Sequence, residues 1–262
     1  MVEAFLIGIM ISFIVAYLAY LKKSLTKDGL LMATFLGAII YAFGTIVVWI
    51  GLILFFVSSS LLTKLHEKKE KDRTSGRNYI QVIANSLIAS VFSVVFYLTK
   101  NEVFMIAAVI SVSASNADTW ASEIGILSKG KTYSIINFKV VEKGVSGAVS
   151  RLGTIASFLG AFFIGTVFYI SYGAINGFDL MVLLYSFIVL TGGFFGCLVD
   201  SYLGALVQAK YRGTQTGTIT EKPYLEGEAV VLSSGIAWIT NDAVNFISGL
   251  SSTVVSMLVW IL

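Results

Sequence analysis

Three carboxylates lie inside apolar runs of this 262-residue chain. Asp118 sits in Ser111–Gly125 (S-V-S-A-S-N-A-D-T-W-A-S-E-I-G), with Asn116, Thr119, Ser122 and Glu123 around it. Asp200 sits in Gly192–Ala205 (G-G-F-F-G-C-L-V-D-S-Y-L-G-A), followed by Ser201, and Asp242 sits in Trp238–Asn245 (W-I-T-N-D-A-V-N). A carboxylate in a membrane-compatible segment is costly unless it is paired, hydrated or bound to an ion. A fourth run carries Arg77, Asn78, Gln81 and Asn85. Positions 77, 81 and 85 are spaced i, i+4, i+8 and share one helix face. Carboxylate and amide oxygens are hard ligands suited to Mg²⁺, which keeps waters and bridges substrate phosphates. Lysine and arginine neutralise phosphate charge. Phosphoryl transfer asks a protein for little else than metal, positive charge and alignment.

The elements that must position these groups are membrane helices. The chain is 56% hydrophobic and 13% charged, about half the charged fraction of an ordinary globular chain. Its apolar runs are continuous and longer than the alternating strands of a membrane barrel. The expected fold is an all-α polytopic membrane protein in one transmembrane domain, 1–262. Eight spans are expected, near 4–21, 29–43, 46–62, 79–98, 102–120, 149–172, 181–208 and 238–262. Connecting loops are expected near 63–78, 121–148 and 209–237, and Glu226–Trp238 could form a re-entrant segment. The first run has Glu3 before it and Lys22-Lys23 after it, the reverse of a signal peptide, and is expected to be a retained span. The single cysteine, Cys197, excludes an internal disulfide.

Charge gives the orientation. With the amino terminus outside, every one of the 18 basic residues except Lys100 falls on the inner side, as the positive-inside rule requires. Both termini are then expected outside and the polar loops in the cytoplasm. At ~1.5 Å per residue, Asp118 lies about 24 Å along span five and Asp200 about 28 Å along span seven. Asp242 opens span eight. All three reach inner-headgroup depth, where a lipid phosphate would lie and a soluble nucleotide can reach them. Lys143–Gly153 (K-G-V-S-G-A-V-S-R-L-G) opens span six, and its backbone N–H groups could meet an anion or simply pack closely. Gly125–Thr132 (G-I-L-S-K-G-K-T) fits the P-loop pattern literally, but no strand–helix alternation surrounds it; whether this loop touches nucleotide is left open.

Each polar group also has an ordinary reading. A single intramembrane Asp can serve helix packing or an ion path. Thr240-Asn241-Asp242 is good helix-start chemistry. Glu123 lies about 140° around a helix from Asp118 and could face the loop. Lys68–Arg73 and His66 read as solvated surface.

The combination A-D-T-W-A-S-E-I-G, K-G-V-S-G-A-V-S-R-L-G-T, G-G-F-F-G-C-L-V-D-S-Y-L-G-A and N-D-A-V-N resembles the integral membrane family of plant phytyl-phosphate kinase and animal transmembrane protein 19. S-S-S-L-L-T-K (Ser58–Lys64) and R-N-Y-I-Q-V-I-A-N (Arg77–Asn85) fit it too, and the match runs in order along essentially the whole chain. One departure is Glu142–Gly147 (E-K-G-V-S-G), where many members carry a G-T-N-G-type sequence. The resemblance implies phosphorylation of an isoprenoid monophosphate to its diphosphate by a nucleoside triphosphate, CTP being the expected donor, with Mg²⁺. On this reading Asp118, Asp200, Asp242 and Asn85 are catalytic, and Asp118, Glu123 and Asp200 hold metal. Arg77, Gln81, Lys143, Ser146, Ser150, Arg151 and Ser201 bind phosphate or nucleotide. The partners are these two substrates and the lipid bilayer, with no nucleic acid and with room for a homodimer. A CDP-lipid-forming cytidylyltransferase would use the same residues. An ion-coupled transporter is the reading from another class, although carriers place their sites near mid-membrane between inverted repeats.

Overall fold

The computed structural model describes residues 2–67 and 76–261; Lys68, Lys69, Lys71 and Arg73, and the side chain of His66, lie outside what it describes. Among the described residues, eight helices are long and apolar enough to cross a membrane. They are α1 (Val2–Leu21), α2 (Lys27–Ile39, prolonged by a π turn over Ile40–Gly44), α3 (Ile46–Glu67), α4 (Tyr79–Thr99), α5 (Glu102–Gly125), α6 (Arg151–Asn176), α7 (Leu180–Leu206) and α8 (Asn241–Ile261). Short polar side chains start them. Thr26, Asn101, Ser150 and Asp179 each accept a first-turn N–H, and Asn78 forms a reciprocal capping box with Gln81. Each cap satisfies donors that the helix itself leaves unpaired.

Helix α5 is the axis of the molecule. It packs against α3, α4, α6, α7 and α8, and 72% of its most apolar window is buried, more than in any other described span. Small residues permit this. A side chain at Gly193 of α7 would place Cβ 2.0 Å from the Ser113 hydroxyl, and one at Gly196 would lie 2.5 Å from Ala114 Cβ. Without a hydrophobic driving force between helices in lipid, such close backbone approach is what dispersion and packing need. Polar cross-links add to it. Asn116, fully buried, donates to the Gly160 carbonyl at 2.7 Å and accepts from Ser58 Oγ at 3.1 Å, tying α5 to α6 and α3.

Helix α5 runs five residues beyond the expected end at Trp120, so Ser122 and Glu123 are helical. The segments between α5 and α6 and between α7 and α8 are not plain loops. Each holds a three-stranded antiparallel sheet: β1 (Thr132–Ser134), β2 (Val140–Val141) and β3 (Ala148–Val149) in order β2-β1-β3, then β4 (Lys210–Gly213), β5 (Ile219–Thr220) and β6 (Val230–Ser234) in order β5-β4-β6. Strand β6 takes up much of the segment that could have been re-entrant. These strands are two to five residues long, too short to show an alternating pattern. The P-loop-like Gly125–Thr132 closes α5 and leads into β1; no helix follows it.

Candidate functional site

Asp118 and Asp200 project from α5 and α7 where the glycine contacts bring those helices together, and they lie within electrostatic reach of each other. Cys197, one turn before Asp200, directs its thiol at Asp118 Oδ1 over 3.9 Å. Asp200 is buried and well satisfied. Ser248 Oγ donates to its Oδ2 at 2.9 Å, and the Asn245 amide, oriented toward it, donates at 3.0 Å. Helix α8 therefore holds one oxygen of Asp200 and leaves the other for a further partner. Among the described residues, Asp118 has only the weak thiol contact as a hydrogen bond.

The two sheet-bearing segments meet above this pair. Ser146 donates its hydroxyl to Glu221, which follows β5. Backbone approach makes that possible: a Cβ on Gly204, one turn after Asp200, would sit 3.2 Å from Ser146 Cβ, and Gly147, at φ +82°, leaves no room for one against Ala205. Glu221 is within electrostatic reach of Asp118, Asp200 and Lys210. Burial pulls the Lys210 ammonium below its usual range, and Glu221 opposes that shift.

The other expected residues are spread over several places. Glu123 faces α3, where it accepts from Thr63 Oγ1 at 2.7 Å and interacts with Arg77. It does not join Asp118 and Asp200, and no cluster of three metal-binding side chains forms among the described residues. Asp242 is half-buried in the first turn of α8, whose Ala243 N–H is capped by Thr240 Oγ1 at 3.3 Å; no hydrogen bond links it to the acid pair. Arg77, Gln81 and Asn85 do share a face, but that face lines a cavity with α1, α2 and α3. Gln81 spends its side-chain oxygen on the Asn78 N–H, and Asn85 donates to the Gln81 carbonyl. Lys143 donates to the Ser128 carbonyl and anchors the segment after α5. Ser150 is buried as the α6 cap, its hydroxyl on the Gly153 N–H at 3.0 Å. Arg151 is exposed at the start of α6, and Ser201 is half-buried beside Asp200.

Cys197, Ser248, Lys210 and Glu221 entered the site from the structure alone. Ser248 had a legible signal: Asp242, Asn245, Ser248 and Ser252 recur at helical spacing along α8. Glu221 had none, because its place depends on how two short sheets dock.

A divalent cation can be tested against these donors. Two carboxylates, each with an oxygen not held by a strong donor, fit Mg²⁺ bound through one or two carboxylates with waters and substrate phosphates completing the shell. They do not form an all-protein cage.

Residues 10–253 match the family described as integral membrane protein DUF92. An uncharacterized membrane protein of Methanocaldococcus jannaschii is 34% identical over 208 residues, covering 78% of this chain and 83% of that protein. Protein PGR of Arabidopsis thaliana is 30% identical over 269 residues, covering 92% and 91%. The chloroplastic protein VTE6 of the same plant is 25% identical over 253 residues, covering 91% of this chain and 66% of that one. No solved structure matches. With eight helices long and apolar enough to cross a membrane among the described residues, and a family match over nearly its whole length, the chain belongs to the DUF92 family of integral membrane proteins.

Proposed function

We propose that this protein is a membrane phosphotransferase that adds a phosphoryl group to an isoprenoid monophosphate, with a nucleoside triphosphate, CTP in the first instance, as donor. The observation that carries the reading is the Asp118–Asp200 pair, a half-buried and a buried carboxylate that interact with each other and are roofed by polar segments rich in lysine. Like charges held together in a low-dielectric setting are costly, and a divalent cation with phosphate ligands relieves that cost. The sequence resemblance to the phytyl-phosphate kinase family supports the choice of reaction.

Within this reading the roles follow from chemistry. Asp118 and Asp200 would hold Mg²⁺, which when bound would supply positive charge for the phosphoryl oxygens. Ser248 and Asn245 fix the rotamer of Asp200. Lys143, Lys210 and Arg151 draw the donor phosphates to the site by charge. Ser146 and Glu221 join the two roof segments. The acceptor phosphate is already anionic, so no strong general base is needed.

Purified protein incubated with geranylgeranyl monophosphate, Mg²⁺ and labelled CTP tests the reading. Release of CDP with formation of the diphosphate is the expected result. Pyrophosphate release with a CDP-lipid would replace it by the cytidylyltransferase reading. Absence of both, together with proteoliposome uptake that depends on Asp118, would replace it by transport.

A further inference from the structure

Between α5 and α6 the chain makes a hairpin whose tip the fold hardly uses. Strand β1 pairs with β2, Thr132 against Val141 and Tyr133 against Val140. The turn between them ends on Phe138, which holds φ +56° and is 74% exposed. A bulky side chain in the left-handed region is strained, and glycine or asparagine is the usual occupant. Here the strained residue also leaves most of its ring in the open, so the folded chain gains little from it. Strain of this kind persists where something beyond the local fold holds it. Ile136 and Val140 are exposed near Phe138, and Tyr133 is exposed opposite Val140. The backbone of the turn is well satisfied. The N–H groups of Ile135, Ile136, Phe138 and Lys139 donate to the Gly147 carbonyl, the Ser134 hydroxyl, the Ser134 carbonyl and the Asn137 side chain, at 2.9 to 3.3 Å.

We propose that this hairpin docks on an anionic phospholipid surface, with Phe138 and Ile136 entering the boundary between headgroups and acyl chains and Lys129, Lys131 and Lys139 on the lipid phosphates. Continuity supports the partner. Helix α5 ends at Gly125, and β3 reaches α6 after Ser150 alone, so both ends of the segment are held at the ends of membrane spans. Charge supports the lipid class: residues 126–141 carry these three exposed lysines and no aspartate or glutamate. Lysines are drawn to the negative surface potential of an anionic leaflet, and the apolar tip to the boundary beneath it. The hydrogen bonds within the turn let the tip enter that boundary without leaving these N–H groups unpaired. Lys129 and Lys131 belong to the P-loop-like stretch, which on this assignment has a role that needs no nucleotide.

The docking bears on the rest of the molecule through Gly147. The Ile135 N–H on the Gly147 carbonyl ties the hairpin to the residue after Ser146, whose hydroxyl meets Glu221. Gly147 itself sits against Ala205 of α7. A hairpin seated on lipid therefore steadies the segment that lies over Asp118 and Asp200. The assignment stands whether or not the acid pair transfers phosphate.

The full chain in lipid nanodiscs tests this, with the fluorescence of Phe138→Trp read against the wild-type background. The lipid is phosphatidylcholine alone or mixed with phosphatidylglycerol, with or without bromine on the acyl chains. In the anionic discs brominated lipid is expected to quench the emission added by Phe138→Trp at least about twofold, and aqueous acrylamide to leave it, as for a side chain buried roughly 5–10 Å into the boundary. Phosphatidylcholine alone, or Lys131→Gln combined with Lys139→Gln, is expected to reverse that pattern. If Phe138→Trp does not fold, Ile136→Trp carries the test. Full acrylamide access in anionic discs, or bromolipid quenching that is equal in both lipids or untouched by the lysine changes, would overturn the proposal. Exclusion of both quenchers would overturn it too and give the hairpin to a protein surface, a second copy if Phe138→Cys cross-links two chains. CTP turnover enters none of these readouts, so the kinase reading stands or falls separately.

Discussion

Replacing Asp118 by asparagine separates the chemistry of the site from its architecture. The change keeps the shape of the side chain and removes one negative charge beside Asp200. The hydrogen bond it puts at risk is the thiol contact at 3.9 Å, too long to contribute appreciably. Folding should therefore tolerate the substitution, and in metal-free buffer the loss of like-charge repulsion should leave the melting temperature unchanged or raised. Turnover should fall at least about 10²-fold, or about 2.7 kcal/mol of barrier, if Asp118 holds metal in the transition state. The stability readout adds a second measure. A cation at 100 times its Kd stabilises the folded state by about 2.7 kcal/mol. Titration with Mg²⁺ and a non-hydrolysable nucleotide should thus raise the melting temperature of the wild type and not of Asp118→Asn. The reasoning fails if the variant turns over CTP and geranylgeranyl monophosphate at a near-wild-type rate, or if it melts well below the wild type without metal.

Three further outcomes are expected. Gly193→Ala should cost about 1–3 kcal/mol by overpacking, because its Cβ would overlap Ser113. Detergent thermal melts measure that, and Mg²⁺ stabilisation should be lost with it as α5 and α7 part. Asn116→Leu should cost roughly 1–3 kcal/mol, since membrane hydrogen bonds average about 0.6 and reach about 1.7 kcal/mol each and two are broken; a variant as stable as the wild type would refute that role. Hydrogen bonds from the Thr216 hydroxyl and the Gln215 and Thr216 N–H groups hold the Glu228 carboxyl below its usual range. A depressed carboxylate stabilises above its unfolded value and loses that contribution as pH falls through its folded one. Hydrogen exchange at Gln215 and Thr216 should therefore accelerate, relative to the intrinsic rate, below the ordinary glutamate range and stay flat above it.

The eight spans were legible because membrane insertion is a local property. Twenty apolar residues in a row must cross as a helix whatever surrounds them, so α1, α4 and α7 lie within a residue or two of their expected bounds. The two sheets were not legible: strands such as Val140–Val141 are shorter than any periodic signal, and they form by docking on helix ends. Asp118 and Asp200 stood out by cost, since a carboxylate in an apolar run is an anomaly in any fold. Which acids share a site did not follow from depth alone. Glu123, only five residues from Asp118, faces Thr63 and Arg77 because helical rotation turns it away. Arg77, Gln81 and Asn85 share a helix face as their spacing requires, yet tertiary packing turns that face to a cavity with α1–α3. Sequence by itself determined the helices, their number and the presence of carboxylates that demand a partner, because hydropathy and charge act residue by residue. Only the tertiary structure decided that Asp118 meets Asp200, that Glu221 reaches over both, and that Arg77 faces elsewhere, because those pairings depend on which helix faces the glycines allow to touch.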